Sequence, residues 1–321
     1  LSCDPAEIVF TSGGSEANNH VLKGIFYASS APHPHIITTQ IEHPAILSPC
    51  RFLERLGASV TYVPVDGSGR VDPDDVRRAI TGETVLISVM HANNEVGTVQ
   101  PLAAISRIAR ENEVLFHTDA AQSVGKIPAR VTELGVDLLS VAGHKLYAPK
   151  GVGALYIREG VRLEPLVHGA GHEAGRRAGT ENVLLDVGLG AACELAQSWV
   201  ADSRIRELRD LFWSRLEARF PDRVVLNGHA TECLPNTLNV SFVGASATEI
   251  LAALPDIAAS TGSACHSGTV EPSPVLTAMG VPPDRALGAV RFSLGRTTTV
   301  EEIEEVVDQL SRVLARPAHG R

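Results

Sequence analysis

The stretch VLFHTDAAQSVGKIPARVTELGVDLLSVAGHKLYAPKG, residues 114–151, decides the fold. Its two apolar runs, VLFHTD (114–119) and DLLSVA (137–142), have strand length, and a polar segment with helical character separates them. Each run ends in a group that can do chemistry: Asp119 closes the first, and His144–Lys145 follow the second between glycines. An acid at a strand end also reads as a helix cap, and a lysine in a loop also reads as a solvated charge. Together, 26 residues apart at the ends of successive strands, they have the parts for a Schiff base with pyridoxal phosphate. In that reading the lysine carries the cofactor, and the acid keeps the pyridine nitrogen protonated so that the ring can act as an electron sink.

Outward from this stretch the same alternation recurs. EIVFT (7–11) precedes a helical pattern from about Ser15, and HIITT (35–39) precedes another after Pro44. SVTYV and TVLISVM follow, with helical stretches at 73–80 and 101–111. Repeated βαβ units of this kind predict an α/β fold with a mainly parallel sheet, whose ligands sit beyond the carboxyl ends of the strands. From about Asn182 the texture changes to long helical runs, short strands (TLNVSF, RFSL) and a terminal helix from Val300. The predicted division is a large domain over 1–199 and a smaller α+β domain over 200–321.

TSGGSEANN (11–19) adds a phosphate site, because glycines between a strand and a helix start let backbone N–H groups approach an anion at the positive helix end. The same Gly-Gly-Ser is also an ordinary turn and N-cap. His43, in IEHPAI (41–46), is placed to stack on a cofactor ring, although a histidine before proline is by default a loop residue.

These motifs, with MHANNEVGTVQP (90–101), GHEAGRRAGTEN (171–182), STGSACHSG (260–268), EPSPVLTAMG (271–280) and RFSLGRTTT (291–299), occur in the order seen in one family. The sequence resembles the class V, fold-type-I aminotransferase family, and within it the NifS/IscS-like cysteine desulfurases and the related selenocysteine lyases. The resemblance implies pyridoxal 5'-phosphate as cofactor and a homodimer. It implies that Lys145 bonds the cofactor, Asp119 pairs with the ring nitrogen, Gln122 bonds the phenolate oxygen and His43 stacks on the ring. Gly14, Ser15 and His144 would face the phosphate, with Thr180 reaching the phosphate of the neighbouring subunit. Asn94 and Arg291 would hold the substrate carboxylate, the arginine as a two-pronged clamp; the alternative for Arg291 is a salt-bridged strand residue.

Cys265 is expected to be the nucleophile that takes sulfur from L-cysteine as a persulfide and passes it to an acceptor protein. Its surroundings, STGSACHSGTVEPSP (260–274), read as a mobile loop rather than a strand or helix. Cys193, in the apolar LGAACELA, reads as core. Two departures from the family stand out. Ala142 occupies the place of a phosphate-binding serine, and several tens of residues that usually precede the phosphate loop are missing.

Composition bounds the alternatives. At 321 residues with 44% hydrophobic content the chain has the size of two packed domains, and a net charge of −9 argues against nucleic acid as substrate. Its five cysteines are scattered without metal-ligand spacing, which suits the reducing cytoplasm, and no uninterrupted apolar run of membrane-spanning length occurs. A selenocysteine lyase is the rival activity; a plain aminotransferase, which needs no such cysteine, and an inactive scaffold are the others. Iron–sulfur cluster assembly, tRNA thiolation and selenium recycling are all open as destinations for the product.

Overall fold

The computed structural model describes residues 1–200, 202–261, 263–266 and 269–315; at 263–266 and 269–270 the backbone alone is described. The chain divides into two compact units. The first holds residues 1–65, 71–93 and 100–201; the second holds 66–70, 94–99 and 202–321. Two short pieces of the first half of the sequence, the second containing Asn94, thus fold with the later residues.

The first unit is built on β1 (Ile8–Thr11), α1 (Gly14–Ala28), β2 (His35–Thr39), α2 (Pro44–Glu54), β3 (Ser59–Val63), α3 (Pro73–Ala79) and β4 (Thr84–Ser88). It continues with α4 (Leu102–Glu111), β5 (Leu115–Asp119), α5 (Val131–Leu134), β6 (Leu138–Ala142), β7 (Gly153–Ile157) and α6 (Val183–Val200). The strands form one sheet in the order β1-β7-β6-β5-β4-β2-β3. Pairings among β3, β2, β4, β5 and β6 are parallel, while β7 runs antiparallel to both its neighbours, β6 and β1.

Both faces of this sheet are covered, so its strands are apolar on both sides with a period of two. Ile36, Leu86, Leu138 and Leu155 pack toward Val21, Leu22 and Ile25 of α1 and Ile46 and Leu53 of α2. Their sequence neighbours Ile37, Ile87, Leu139 and Tyr156 join Val76, Leu102, Ile105 and Leu189 from α3, α4 and α6. Within this interior His117 on β5 is held between the hydroxyls of Ser88 and Ser140, at 2.9 and 3.0 Å. Burial pushes its pKa down to about 3, so it is a neutral strut between three strands.

The second unit comprises α7 (Arg204–Arg219), β8 (Val224–Asn227), β9 (Thr237–Phe242), α8 (Ala247–Ala252), β10 (Ser260–Thr261), β11 (Ser263–His266) and β12 (Thr269–Pro272). After these come α9 (Pro274–Ala278), α10 (Pro283–Ala286), β13 (Ala289–Ser293) and α11 (Val300–Leu314). An antiparallel sheet in the order β10-β13-β9-β8 carries Leu238, Val240, Val290 and Phe292 against Leu208, Phe212 and Leu216 of α7 and Ile303, Val307 and Leu310 of α11. A capping box between Thr299 and Glu302 sets the start of α11.

Two expectations are corrected. The segment around Cys265 is not an irregular loop: β11 and β12 pair antiparallel, with Cys265 opposite Val270. Backbone pairing needs no apolar side chains, which is why a Gly/Ser-rich stretch can form it. Cys193 is exposed on α6 instead of lying in the core. That helix also exposes Val183, Leu184, Val187 and Leu195, so an apolar neighbourhood in sequence did not mean burial. By length and composition α6 is the one helix among the described residues that could span a bilayer, although it carries Asp186 and Glu194.

Candidate active site

Strand β5 ends in Asp119, a carboxylate buried to 6% exposure. Its Oδ1 accepts from Ala121 N at 2.9 Å and its Oδ2 from Asn18 Nδ2 at 2.7 Å. The contact with Ala121 is the local capping bond expected of an acid at a strand end; the one with Asn18 crosses from α1. Burial raises the pKa of Asp119, with the two hydrogen bonds and the nearby His43 acting against that rise. A buried acid prepared this way is suited to a partner that brings its own positive charge.

The helix that supplies Asn18 begins at Gly14, four residues earlier, so one helical turn links the acid to the candidate phosphate site. Gly13 takes φ = +149°, a conformation that side chains rarely adopt, and no side chain caps the N–H groups that open α1. Close approach enforces small residues here: a Cβ on Gly153 would stand 2.7 Å from Gly13 Cα, and one on Gly14 would stand 3.1 Å from the Cβ of Ala142. Ala142 therefore fills the space beside the helix start without offering a hydroxyl.

Strand β6 lies next to β5, with Asp119 opposite Ser140, and passes into a 3₁₀ turn, Gly143–Leu146. That turn presents His144 and Lys145 on the surface. Tyr147 closes it in the left-handed region, at φ = +68°. Burial first, then Lys145 and Lys150, hold the pKa of His144 down.

His43 is exposed and caps α2, its Nδ1 accepting from Ala45 N at 3.1 Å. It is thus a helix cap as well as a candidate ring partner. Gln122 lies three residues past Asp119, half-buried, and accepts from Lys126 Nζ at 2.9 Å. Thr180 is exposed in the segment leading into α6. That segment is fastened to the first helix by a salt bridge from Arg177 to Glu16 at 2.9 Å. A second bond runs from Phe10 N to Glu173 Oε2 at 3.0 Å.

In the second unit Arg291, on β13, is half-buried and donates from Nη1 to the carbonyl oxygen of Asn94 at 2.7 Å and from Nη2 to Ser260 Oγ at 3.0 Å. Its Nε is buried with no hydrogen-bond partner among the described residues. The guanidinium is held by a carbonyl and a hydroxyl, and its charge also acts on Glu95, whose pKa it lowers against the rise from burial. Asn94 and Arg291 are therefore brought together, through the Asn94 backbone. For Cys265 the backbone is described, but the placement of its side chain lies outside the described residues.

Pyridoxal phosphate fits the residues of the first unit. They offer a buried acid for the ring nitrogen, a lysine one strand away, and an uncapped helix start lined by glycine and alanine. Asn18 Oδ1, buried beside Asp119 with no hydrogen-bond partner among the described residues, marks polar capacity left over at that place.

The family model for aminotransferase class-V matches residues 2–306. The chain belongs to the class-V aminotransferase family. Within the class-V proteins it is 50% identical over 314 residues to the cysteine desulfurase IscS of Dictyoglomus turgidum, covering 97% of this chain and 79% of that relative. It is 46% identical to a human cysteine desulfurase, over 96% of this chain and 68% of that one. Among solved structures a NifS-like protein superimposes with a TM-score of 0.91 at 37% identity, over 98% and 84% of the two chains. The structure of SspA in complex with cysteine follows at 0.79 and 38%, over 92% and 83%. The α/β fold of this class-V chain is that of the fold-type-I pyridoxal-phosphate enzymes.

Two buried polar residues of this region were not singled out from sequence. Asn18 had a signal, since it lies one turn below Gly14 on the same helix. Glu42, buried at 3% exposure beside His43, had none, because a glutamate in a polar turn reads as solvated.

Proposed function

We propose that the chain is a pyridoxal-phosphate-dependent cysteine desulfurase, converting L-cysteine to L-alanine and leaving the sulfur as a persulfide on Cys265. What supports the reading is identity of 46–50%, over nearly the whole of this chain, to proteins named cysteine desulfurase, joined to a first unit whose strand ends carry a buried acid and a lysine.

When bound, pyridoxal phosphate supplies an electron sink for the α-carbon of the amino-acid substrate. Lys145 would hold it covalently, and the amine of Lys145, once free, would move the α-proton of the substrate. Asp119 would hold a proton at the ring nitrogen, and Gln122 would hold the phenolate oxygen. The N–H groups at Gly14 and Ser15, with His144, would take the phosphate, and Thr180 would take that of a second subunit. His43 would cover the ring and relay protons. Asn94 and Arg291 hold the substrate carboxylate.

The Cys265 thiolate attacks the substrate sulfur. A sulfur–sulfur bond forms, the carbon–sulfur bond breaks with its electron pair going to carbon, and protonation of that carbon leads to alanine. The sulfur, oxidised to the persulfide level, passes to an acceptor protein.

The exposed apolar face of α6, with Val183, Leu184, Val187 and Leu195 at helical spacing, supports a homodimer rather than a membrane span, since Asp186 and Glu194 interrupt it. The free cysteines Cys3, Cys50, Cys193 and Cys233 suit a cytoplasmic protein. Measuring alanine and sulfide from L-cysteine by the cofactor-loaded protein tests the activity. No alanine from L-cysteine, with alanine and selenide from L-selenocysteine, would replace it with the lyase.

A further inference from the structure

The residue before His43 is a glutamate that the proposed chemistry does not use. Glu42 is almost wholly buried, and its Oε1 accepts two bonds, from Thr39 Oγ1 at 2.8 Å and from Met90 N at 2.9 Å. Thr39 closes β2, and Met90 lies just past the end of β4. The same two segments are tied again by Asn93 Nδ2, which donates to Ile41 O at 3.0 Å. His91, next to Met90, donates its backbone N–H to Asp119 O at 2.9 Å. A continuous run of bonds therefore leads from the turn that carries His43, through Glu42 and Met90–His91, to the acid at the end of β5.

We propose that Glu42 is a positioning residue: by holding the turn between β2 and α2 to the segment after β4, it fixes the imidazole of His43 beside Asp119. The proposal rests on the reading of His43 as a cofactor-facing residue. His43 already spends Nδ1 on capping α2, so its ring direction depends on where the helix start is held. Residues 41–42 are what hold it, since His43 itself is exposed while Ile41 and Glu42 are buried.

The protonation of Glu42 fits this role. Desolvation first, then the charge of Asp119, raise its pKa to about 8 against the bonds from Met90 and Thr39. The titratable groups that act on it from neighbouring elements are Asp119 at the end of β5 and Cys50 on α2; the thiol of Cys50 is pushed up to about 12 by burial and stays neutral. His91, on the segment that Glu42 grips, is held neutral by burial with a pKa of about 4. No cation stands among these groups to compensate a Glu42 carboxylate. A raised acid pKa favours the fold fully below the unfolded value, and that advantage is lost as pH rises through about 8. A glutamine, neutral at every pH, keeps the acceptor oxygen and removes the loss.

The test uses the full chain in three variants, Glu42→Gln, Glu42→Ala and His43→Gln, with and without cofactor. Histidine ring resonances are read in cofactor-free protein, that of His43 being assigned by its loss in His43→Gln. The expectation is that Glu42→Ala moves or broadens the His43 resonance, while Glu42→Gln leaves it in place and gains melting temperature over the parent between pH 5 and 8. In loaded protein Glu42→Ala should lower kcat about tenfold with KM little changed, and Glu42→Gln should keep the parental kcat at pH 7. A folded Glu42→Ala protein with an unmoved His43 resonance overturns the proposal, as does a folded Glu42→Gln protein whose His43 resonance moves as far as that of Glu42→Ala. Parental turnover by His43→Gln would instead overturn the cofactor role of His43, which the resonance experiment does not depend on.

Discussion

Replacing Asp119 with asparagine separates the two demands placed on that residue, because the change keeps its shape and removes its charge. In the parent the carboxylate accepts from Ala121 N and from Asn18 Nδ2. In the variant one of these donors would face an amide NH₂ group, unless the Asn18 amide turns over. It can do so, since Asn18 Oδ1 has no other partner among the described residues and then accepts from the new amide. Both bonds survive as neutral ones, each weaker by roughly 1 kcal/mol than its charged counterpart. Against this stands the burial of a charge, whose effect on the Asp119 pKa exceeds that of the bonds. A carboxyl with a raised pKa stabilises the fold below its unfolded value, and that contribution is lost as pH rises through the folded value. At pH 7 the cofactor-free asparagine variant should therefore melt within a few degrees of the parent or above it, and the difference should move in the parent's favour as pH falls toward 4. Turnover should fall by roughly 10²–10³, about 3–4 kcal/mol, the cost of one preorganised electrostatic partner. Alanine should lose both, because it strands two buried donors at about 1–3 kcal/mol each. Calorimetry of cofactor-free protein and alanine release from L-cysteine are the assays. A folded asparagine variant with parental turnover, or one melting far below the parent, would refute the reasoning.

Lys145→Ala should abolish cofactor absorbance near the visible range, and borohydride reduction of the loaded parent should mark Lys145; label on Lys126 or Lys150 would reassign the residue. Arg291→Ala should raise KM on the order of 10²-fold with cofactor absorbance intact, and lysine should rescue poorly, because a point charge cannot reach both Asn94 O and Ser260 Oγ with a planar fork. Sedimentation should find a dimer that Leu184→Glu with Val187→Glu converts to monomer. Cys193, exposed on the same helix, should react with a thiol probe faster in that variant than in the parent; an unchanged rate and mass would reject α6 as the interface.

Much of the first unit was legible because its strands are short apolar runs closed by functional groups. HIITT and SVTYV are strands over the full predicted span, and Asp119 stands at a strand end as read. The reversal of β7 was not legible, since strand direction leaves no mark on side-chain periodicity. Nor was the Asn18–Asp119 bond, which joins residues 101 apart. The β11–β12 pairing escaped because it is backbone chemistry in a sequence of turn formers. Cys193 misled because α6 is apolar on more than one face, so its neighbours could not say which face is covered. The capture of residues 66–70 and 94–99 by the second unit follows from contacts such as Val99 N to Glu232 O, at 2.9 Å, which no local pattern announces.

The most direct test of the account is where the sulfur goes. After a brief incubation of the cofactor-loaded protein with L-cysteine, mass spectrometry of its peptides should find one added sulfur, about 32 Da, on the peptide containing Cys265, and Cys265→Ser should bind cofactor yet form no persulfide and release no sulfide. Added sulfur on Cys193 or another cysteine alone, or parental turnover of L-cysteine by Cys265→Ser, would contradict it.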